Sequence, residues 1–277
     1  MDNKFNYDAA IETVAFLKDK GIKDPEVGLV LGTGLSGLTK ELQTLIEIDY
    51  EDIPGFPVST VESHKGKLLF SKIGDVKILA MQGRFHHYEG YSMQQITFPI
   101  RVMKLLGIKK LFLSNAAGAL NKEYAKGELM MLDDHINLLP SNPLTGVNDE
   151  RFGPRFPDMS QPYSKELNEL IRRSAKEIGL KLHEGVYAVV AGPNLETRAE
   201  YRFLSVIGAD VIGMSTVPEA IVCNHMNLPC AAISVLTDEC DPDNLHPIDI
   251  SEILAIAAKA EKGLTRLMIK VISNLNK

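Results

Sequence analysis

Two hydrophobic periods alternate along the chain. Short apolar runs rich in Val, Ile and Leu fall at 27–31, 67–72, 76–81, 110–114, 128–132, 185–190, 211–213 and 230–236. Between them, apolar positions recur three and four residues apart at 6–20, 34–41, 93–106, 164–178, 197–207, 217–226 and 251–273. A strand covered on both faces is apolar at every position, whereas a helix with one buried face shows the 3.6-residue spacing. The alternation predicts an α/β fold with a largely buried sheet flanked by helices, in one domain over residues 1–277. Gly21, Gly107, Gly179 and Gly208 each close a helical pattern, as left-handed caps do. The stretch 140–162 breaks the rhythm, being rich in Pro, Asn, Gly and Arg without a period. A loop that long reads either as a lid or subunit contact or as an inert insertion.

Composition narrows the classes. With 277 residues, 45% hydrophobic and 24% charged, the chain has the make-up of a soluble globular protein. A net charge of −6 and no dense Lys/Arg cluster argue against a nucleic-acid polymer held by phosphate neutralisation. The N-terminal Met-Asp-Asn-Lys-Phe-Asn-Tyr-Asp lacks the apolar core of a signal peptide, and no window suits a membrane span, so a cytoplasmic protein is expected. Cys223, Cys230 and Cys240 are too few and too far apart for a disulfide framework or a metal knuckle, and read as buried or incidental thiols.

Chemistry gathers where the strands end. After the run at 27–31 comes Gly32-Thr33-Gly34-Leu35-Ser36-Gly37, with the spacing G-x-G-x-x-G. It suits a dinucleotide pyrophosphate, for which Asp49 stands near the required distance, but equally a single phosphate or a plain tight turn. Met81-Gln-Gly-Arg84-Phe-His86-His87-Tyr88-Glu89-Gly90 puts a guanidinium, two imidazoles, a phenol and a carboxylate into six positions. Arg84 and His86, two residues apart at a strand end, would offer a forked donor and a ring donor to one oxyanion, with Glu89 orienting a histidine. Ser114-Asn115-Ala116-Ala117-Gly118-Ala119 supplies small residues that let backbone N–H groups face an anion. Further candidates are Gly192-Pro-Asn-Leu195-Glu196-Thr197, Gly213-Met214-Ser215-Thr216 and Leu236-Thr237-Asp238, each after an expected strand. His87, His135, His183 and His225 show no metal-ligand spacing, and metalloprotease, α/β-hydrolase and Walker motifs are absent.

Together these segments resemble the trimeric purine nucleoside phosphorylase family. The resemblance covers nearly the whole chain, from about residue 6 to the last helix. It is carried by G-T-G-L-S-G at 32–37, M-Q-G-R-F-H-H-Y-E-G at 81–90, N-A-A-G at 115–118, E-R-F-G-P-R-F-P-D-M-S at 150–160, A-G-P-N-L-E-T at 191–197 and G-M-S-T-V-P-E at 213–219. It implies a mixed central sheet, a homotrimer and phosphorolysis of inosine, guanosine and their deoxy forms, with inorganic phosphate as co-substrate and neither cofactor nor metal. It assigns phosphate binding to Thr33, His64, Arg84, His86, Ala116 and Ser215. Ribose falls to Tyr88 and Met214, with Phe156 lent by a neighbouring subunit. The base falls to Ala117, Gly118, Leu195, Glu196 and Asp238, and catalysis to His86, Glu89 and Asp238.

Three positions depart from the family pattern. Leu195 stands where most mammalian members carry Phe. Ile250 aligns with a histidine used at the ribose 5′-hydroxyl, with His246 four residues earlier. Asp238 replaces the Asn of 6-oxopurine enzymes and matches S-methyl-5′-thioadenosine phosphorylases, the alternative reading together with a 6-aminopurine-accepting enzyme. An ionised aspartate only accepts hydrogen bonds and suits a 6-amino group; a protonated one could donate to N7. Glu196 points the other way, because a carboxylate there accepts from the N1–H that only 6-oxopurines carry.

Overall fold

The computed structural model describes residues 3–32, 36–60, 65–245 and 250–275, and the statements below concern those residues. Each apolar run forms a strand: β1 Val27–Leu31, β3 Lys67–Ile73, β4 Val76–Gln82, β5 Lys110–Ala119, β6 Leu129–Asn137, β7 Leu182–Val189, β8 Val211–Gly213 and β9 Cys230–Glu239. One further strand, β2 Gln43–Asp49, has no counterpart among the apolar runs. It lies at the sheet edge with only Ile48 of its residues buried, so it lacks the apolar signature that marks the others. Helices α1 Tyr7–Asp19, α2 Met93–Leu106, α3 Lys165–Glu177, α4 Arg198–Val206, α5 Val217–His225 and α6 Ile250–Asn274 match the helical periods. The period at 34–41 yields a 3₁₀ turn over Ser36–Glu41 instead of an α-helix. Gly21, Gly107, Gly179 and Gly208 all have positive φ, as caps require.

The strands form one mixed sheet in the order β2-β3-β4-β1-β5-β8-β7-β6-β9. Strand β9 pairs back onto β5, in parallel, so five strands close on themselves and the other four extend from β5 as an open sheet. Both faces are covered, and successive residues go to opposite sides. On β1, Leu29 and Leu31 join a core with Leu167 and Ile171 of α3 and Leu264 and Leu267 of α6; Val30 joins the core of α1, α2 and α5. Two-sided burial is why these strands read as apolar runs.

Strand β5 changes partner along one edge. It pairs with β1 through Lys110–Leu113 and with β8 only at Gly118 and Ala119, leaving 114–117 between them. Such a change of partner opens a crevice at the carboxyl ends of the strands. The dinucleotide reading fails here. β1 has β4 and β5 as neighbours, while Asp49 lies on the outer strand β2 in an ion pair with Lys67, 3.3 Å away. No helix among the described residues is long and apolar enough to cross a membrane.

Candidate active site

The crevice at the β1–β5–β8 junction is a cavity of about 480 Å³, the size of a small-ligand site. Strand ends supply its walls: Gly32 after β1, Arg84, His86 and Tyr88 after β4, Asn115 to Gly118 on β5, Gly213 to Ser215 after β8, Thr237 and Asp238 on β9. Pro193, Leu195 and Glu196 enter from the segment before α4, and Ile253 and Leu254 from the first turn of α6. Gly32 is required by close approach, since a Cβ there would sit 2.8 Å from the Ser114 carbonyl oxygen and 3.2 Å from Asn115 Cα.

Arg84 is only 2% exposed, and its guanidinium is held by the protein. Nη1 donates to Thr216 Oγ1 at 3.0 Å and to Glu219 Oε1 at 3.2 Å; Nη2 donates to the carbonyls of Ser114 and, at 3.4 Å, Val30. Both Nη groups, part of the forked donation expected toward an oxyanion, thus also donate to internal acceptors. What Arg84 brings to the cavity wall is positive charge, paired from behind by buried Glu219. The same network fixes Thr216, whose Oγ1 also accepts from Asn115 Nδ2 at 2.9 Å, while Asn115 Oδ1 accepts from Ser234 at 2.7 Å. Thr216 needs such support. It is fully buried with φ +71°, a conformation that costs a β-branched residue about 1–3 kcal/mol. Held there, it stands at the N-cap position of α5 without a side-chain capping bond and follows Ser215, which lines the cavity and whose N–H donates to the Tyr187 hydroxyl at 3.3 Å.

His86 is buried in the wall and stacks on Tyr88, with ring centroids 4.7 Å apart and planes at 14°. Glu89 does not line the cavity. It sits behind, with Oε1 2.8 Å from His86 Nδ1 and accepting the His86 backbone N–H at 2.8 Å. Burial alone would raise the Glu89 carboxyl, but hydrogen bonds from His86 and from Thr60 outweigh it and hold it down at about 2. An ionised carboxylate on Nδ1 orients the ring. Burial, and then the Glu89 charge, push the Tyr88 phenol up to about 12, so it stays a neutral hydroxyl.

Of the residues singled out in the sequence, Arg84, His86, Tyr88, Ala116, Ala117, Gly118, Leu195, Glu196, Met214, Ser215 and Asp238 come together around this cavity. Phe156 does not. It is 87% exposed and lines a separate hollow with His135, Leu144 and Met159. Thr33, His64 and His246 lie outside the described residues, as does the side chain of Ile250. The segments picked out in the sequence contain Asn115, Thr216 and Glu219, but the sequence assigns them no role, and it does not show the wall formed by Ile253 and Leu254. Among the described residues no cluster of three or more His, Cys, Asp or Glu is placed to hold a metal ion. Cys223, Cys230 and Cys240 are free and buried. His135, His183 and His225 are engaged by Tyr163, Glu128 and Asn148, respectively.

Comparison with known proteins gives the same answer as the motifs. Residues 26–273 match the phosphorylase superfamily. Purine nucleoside phosphorylase 1 of Bacillus subtilis (strain 168) is 45% identical, covering 94% of this chain and 96% of its own. The purine nucleoside phosphorylase of Mus musculus is 43% identical, covering 97% and 95%. Among solved structures, the Schistosoma mansoni purine nucleoside phosphorylase in complex with adenosine superposes with a TM-score of 0.93 at 38% identity, over 99% of both chains. The chain belongs to the phosphorylase superfamily and, within it, to the purine nucleoside phosphorylases.

Proposed function

We propose that this cavity carries out phosphorolysis of inosine, guanosine and their deoxy forms, in purine salvage. A phosphate oxygen bonds to C1′ as the C1′–N9 bond breaks, and the electron pair of that bond leaves with the purine, which takes up a proton from solvent at N7. The observation that carries the reading is one cavity lined by two chemically distinct groups: Arg84, His86 and Ser215 from the close of β4 and β8, and Glu196 and Asp238 from the segment before α4 and from β9. The first set holds phosphate with the Ala116 backbone N–H, and with Thr33 and His64 from segments outside the described residues. Tyr88 and Met214 take the ribose. Ala117, Gly118, Leu195, Glu196 and Asp238 take the base, and Asp238 and His86 act in catalysis, with Glu89 positioning His86.

The chemistry suits these groups. Departure of the base leaves an oxocarbenium-like sugar, so a fixed phosphate anion beneath C1′ is both nucleophile and counter-charge. No enzyme nucleophile, cofactor or metal enters this scheme, and inorganic phosphate is the co-substrate. We further propose a cytoplasmic homotrimer. Three free, buried thiols suit a reducing compartment. The bare Phe156 ring, away from its own cavity, suits an aromatic lent to a neighbouring subunit's ribose site.

Incubation with inosine is expected to release hypoxanthine and ribose 1-phosphate only when phosphate is present; release at equal rate in its absence would mean hydrolysis instead. Glu89→Gln keeps an acceptor beside His86 but removes its charge, and is expected to raise the KM for phosphate about three- to tenfold, leaving the KM for inosine near wild type. The variant also tests the depressed carboxyl. A carboxylate held low in the folded state stabilises above its unfolded value near 4.3 and loses that contribution as pH falls through about 2. The melting-temperature gap between wild type and Glu89→Gln is therefore expected at neutral pH and to narrow from about pH 5 downward.

A further inference from the structure

Asp238 is held by unusual local structure. Ala117 on β5 faces Leu236 on β9, yet the next residue, Gly118, faces Asp238, so Thr237 is the extra residue of a β-bulge. A bulge re-aims the side chains beside it, and here both Thr237 and Asp238 line the cavity. Gly118 leaves the room. A Cβ there would sit 2.8 Å from Asp238 Oδ2 and would collide with Cys240 Sγ.

Each oxygen of Asp238 then has a donor from a neutral side chain. Thr237 Oγ1 donates to Oδ1 at 2.8 Å, and Cys240 Sγ donates to Oδ2 at 3.2 Å. Cys240 is 2% exposed; burial, and then the Asp238 charge, push its thiol far up, so it stays S–H. Tyr201 of α4, equally buried, lies close to both Cys240 and Glu196. Neither Cys240 nor Tyr201 lines the cavity.

We propose that Cys240 is a positioning residue that fixes Asp238 as a hydrogen-bond acceptor toward the purine and so extends base recognition to 6-aminopurine nucleosides. The proposal rests on the phosphorolysis reading above. A carboxylate with a fixed donor on each oxygen turns its remaining lone pairs to the ligand, where a 6-amino group donates and an O6 cannot. Glu196 accommodates either base. As a carboxylate it accepts from the N1–H of a 6-oxopurine, and as a neutral acid it donates to the bare N1 of a 6-aminopurine. Burial raises its carboxyl, Asp238 and Glu200 raise it further, and Tyr201 opposes them, so the neutral form is brought closer.

The test is steady-state phosphorolysis of inosine and adenosine at saturating phosphate by wild type, Cys240→Ala, Cys240→Ser, Asp238→Asn and Cys240→Ala/Asp238→Asn. The readout is the ratio of the two kcat/KM values, which does not depend on the fraction of each preparation that is folded. Wild type is expected to cleave both nucleosides. Cys240→Ala frees Asp238 and is expected to lower adenosine relative to inosine by about three- to tenfold, the worth of one ordinary hydrogen bond, as suits a weak S–H donor. Cys240→Ser, which restores a donor, is expected to recover the wild-type ratio, and Cys240→Ala is expected to add nothing in the Asp238→Asn background. Wild type active on inosine but silent on adenosine overturns the proposal and leaves phosphorolysis standing; no phosphate-dependent release from either overturns both. An unchanged ratio in Cys240→Ala, or a shift that persists in the Asp238→Asn background, removes Cys240 from base selection.

Discussion

Replacing Arg84 by alanine is expected to abolish saturable use of phosphate and to destabilise the folded chain at the same time. The two effects have different origins. Arg84 and Glu219 form a buried pair at 3.2 Å, and removing one member strands the other, at a typical cost of about 3–5 kcal/mol. Glu219 has little in reserve, because its Oε2 has no hydrogen-bond partner among the described residues. Thr216 also loses a donor that helps hold its positive φ. The functional loss comes from the positive charge at the cavity wall, and a fall of about 10³-fold in kcat/KM for phosphate is expected, as for other groups that stabilise a transferring anion. Arg84→Ala/Glu219→Ala separates the two, since it buries no lone charge. Denaturant unfolding is expected to show much of the stability regained, while phosphate saturation stays lost. A double variant that saturates with phosphate like wild type would remove Arg84 from phosphate binding.

How much of this was legible in the sequence depends on where the physical cause lies. Strands covered on both faces wrote themselves as apolar runs, and helix ends as glycines. The edge strand β2 did not, because Leu45 and its neighbours face solvent. Nor did the outer ends of β5, β6 and β9. Residues 115–119, 133–137 and 237–239 are mostly small or polar, and they are strands because the five-stranded closure gives them partners. The site shows the same division. Glycines and small residues at strand ends marked the cavity, since close backbone approach has a local signature. Glu219 had none: it lies 135 positions from Arg84 and resembles any first-turn carboxylate of a helix. Arg84 was found, but the direction of its donors was not, because that depends on Thr216 and Glu219 from another part of the chain. Cys240 read as an incidental thiol until its distance to Asp238 was known.

In the same cavity, Glu196→Ala is expected to lower kcat/KM for inosine by about 10²–10³-fold without altering the apparent affinity for phosphate. Glu196 is half-buried beside Asp238 on a wall otherwise made of Pro193 and Leu195, so no nearby side chain of that segment can replace its acceptor for N1–H. The loss belongs to base recognition and differs from that of Arg84→Ala, which acts on the nucleophile. Glu196→Gln sharpens the point. Its amide oxygen still accepts from N1–H, but its amide nitrogen only donates and cannot accept from the 2-amino group of guanine. Inosine is therefore expected to survive this substitution better than guanosine, by about tenfold, the difference made by one hydrogen bond to a charged acceptor and a donor left facing a donor. Rates on the two nucleosides at saturating phosphate measure it directly. Equal losses on both would show that Glu196 does not meet the 2-amino edge, and a raised KM for phosphate would show that the two groups of cavity residues are not independent.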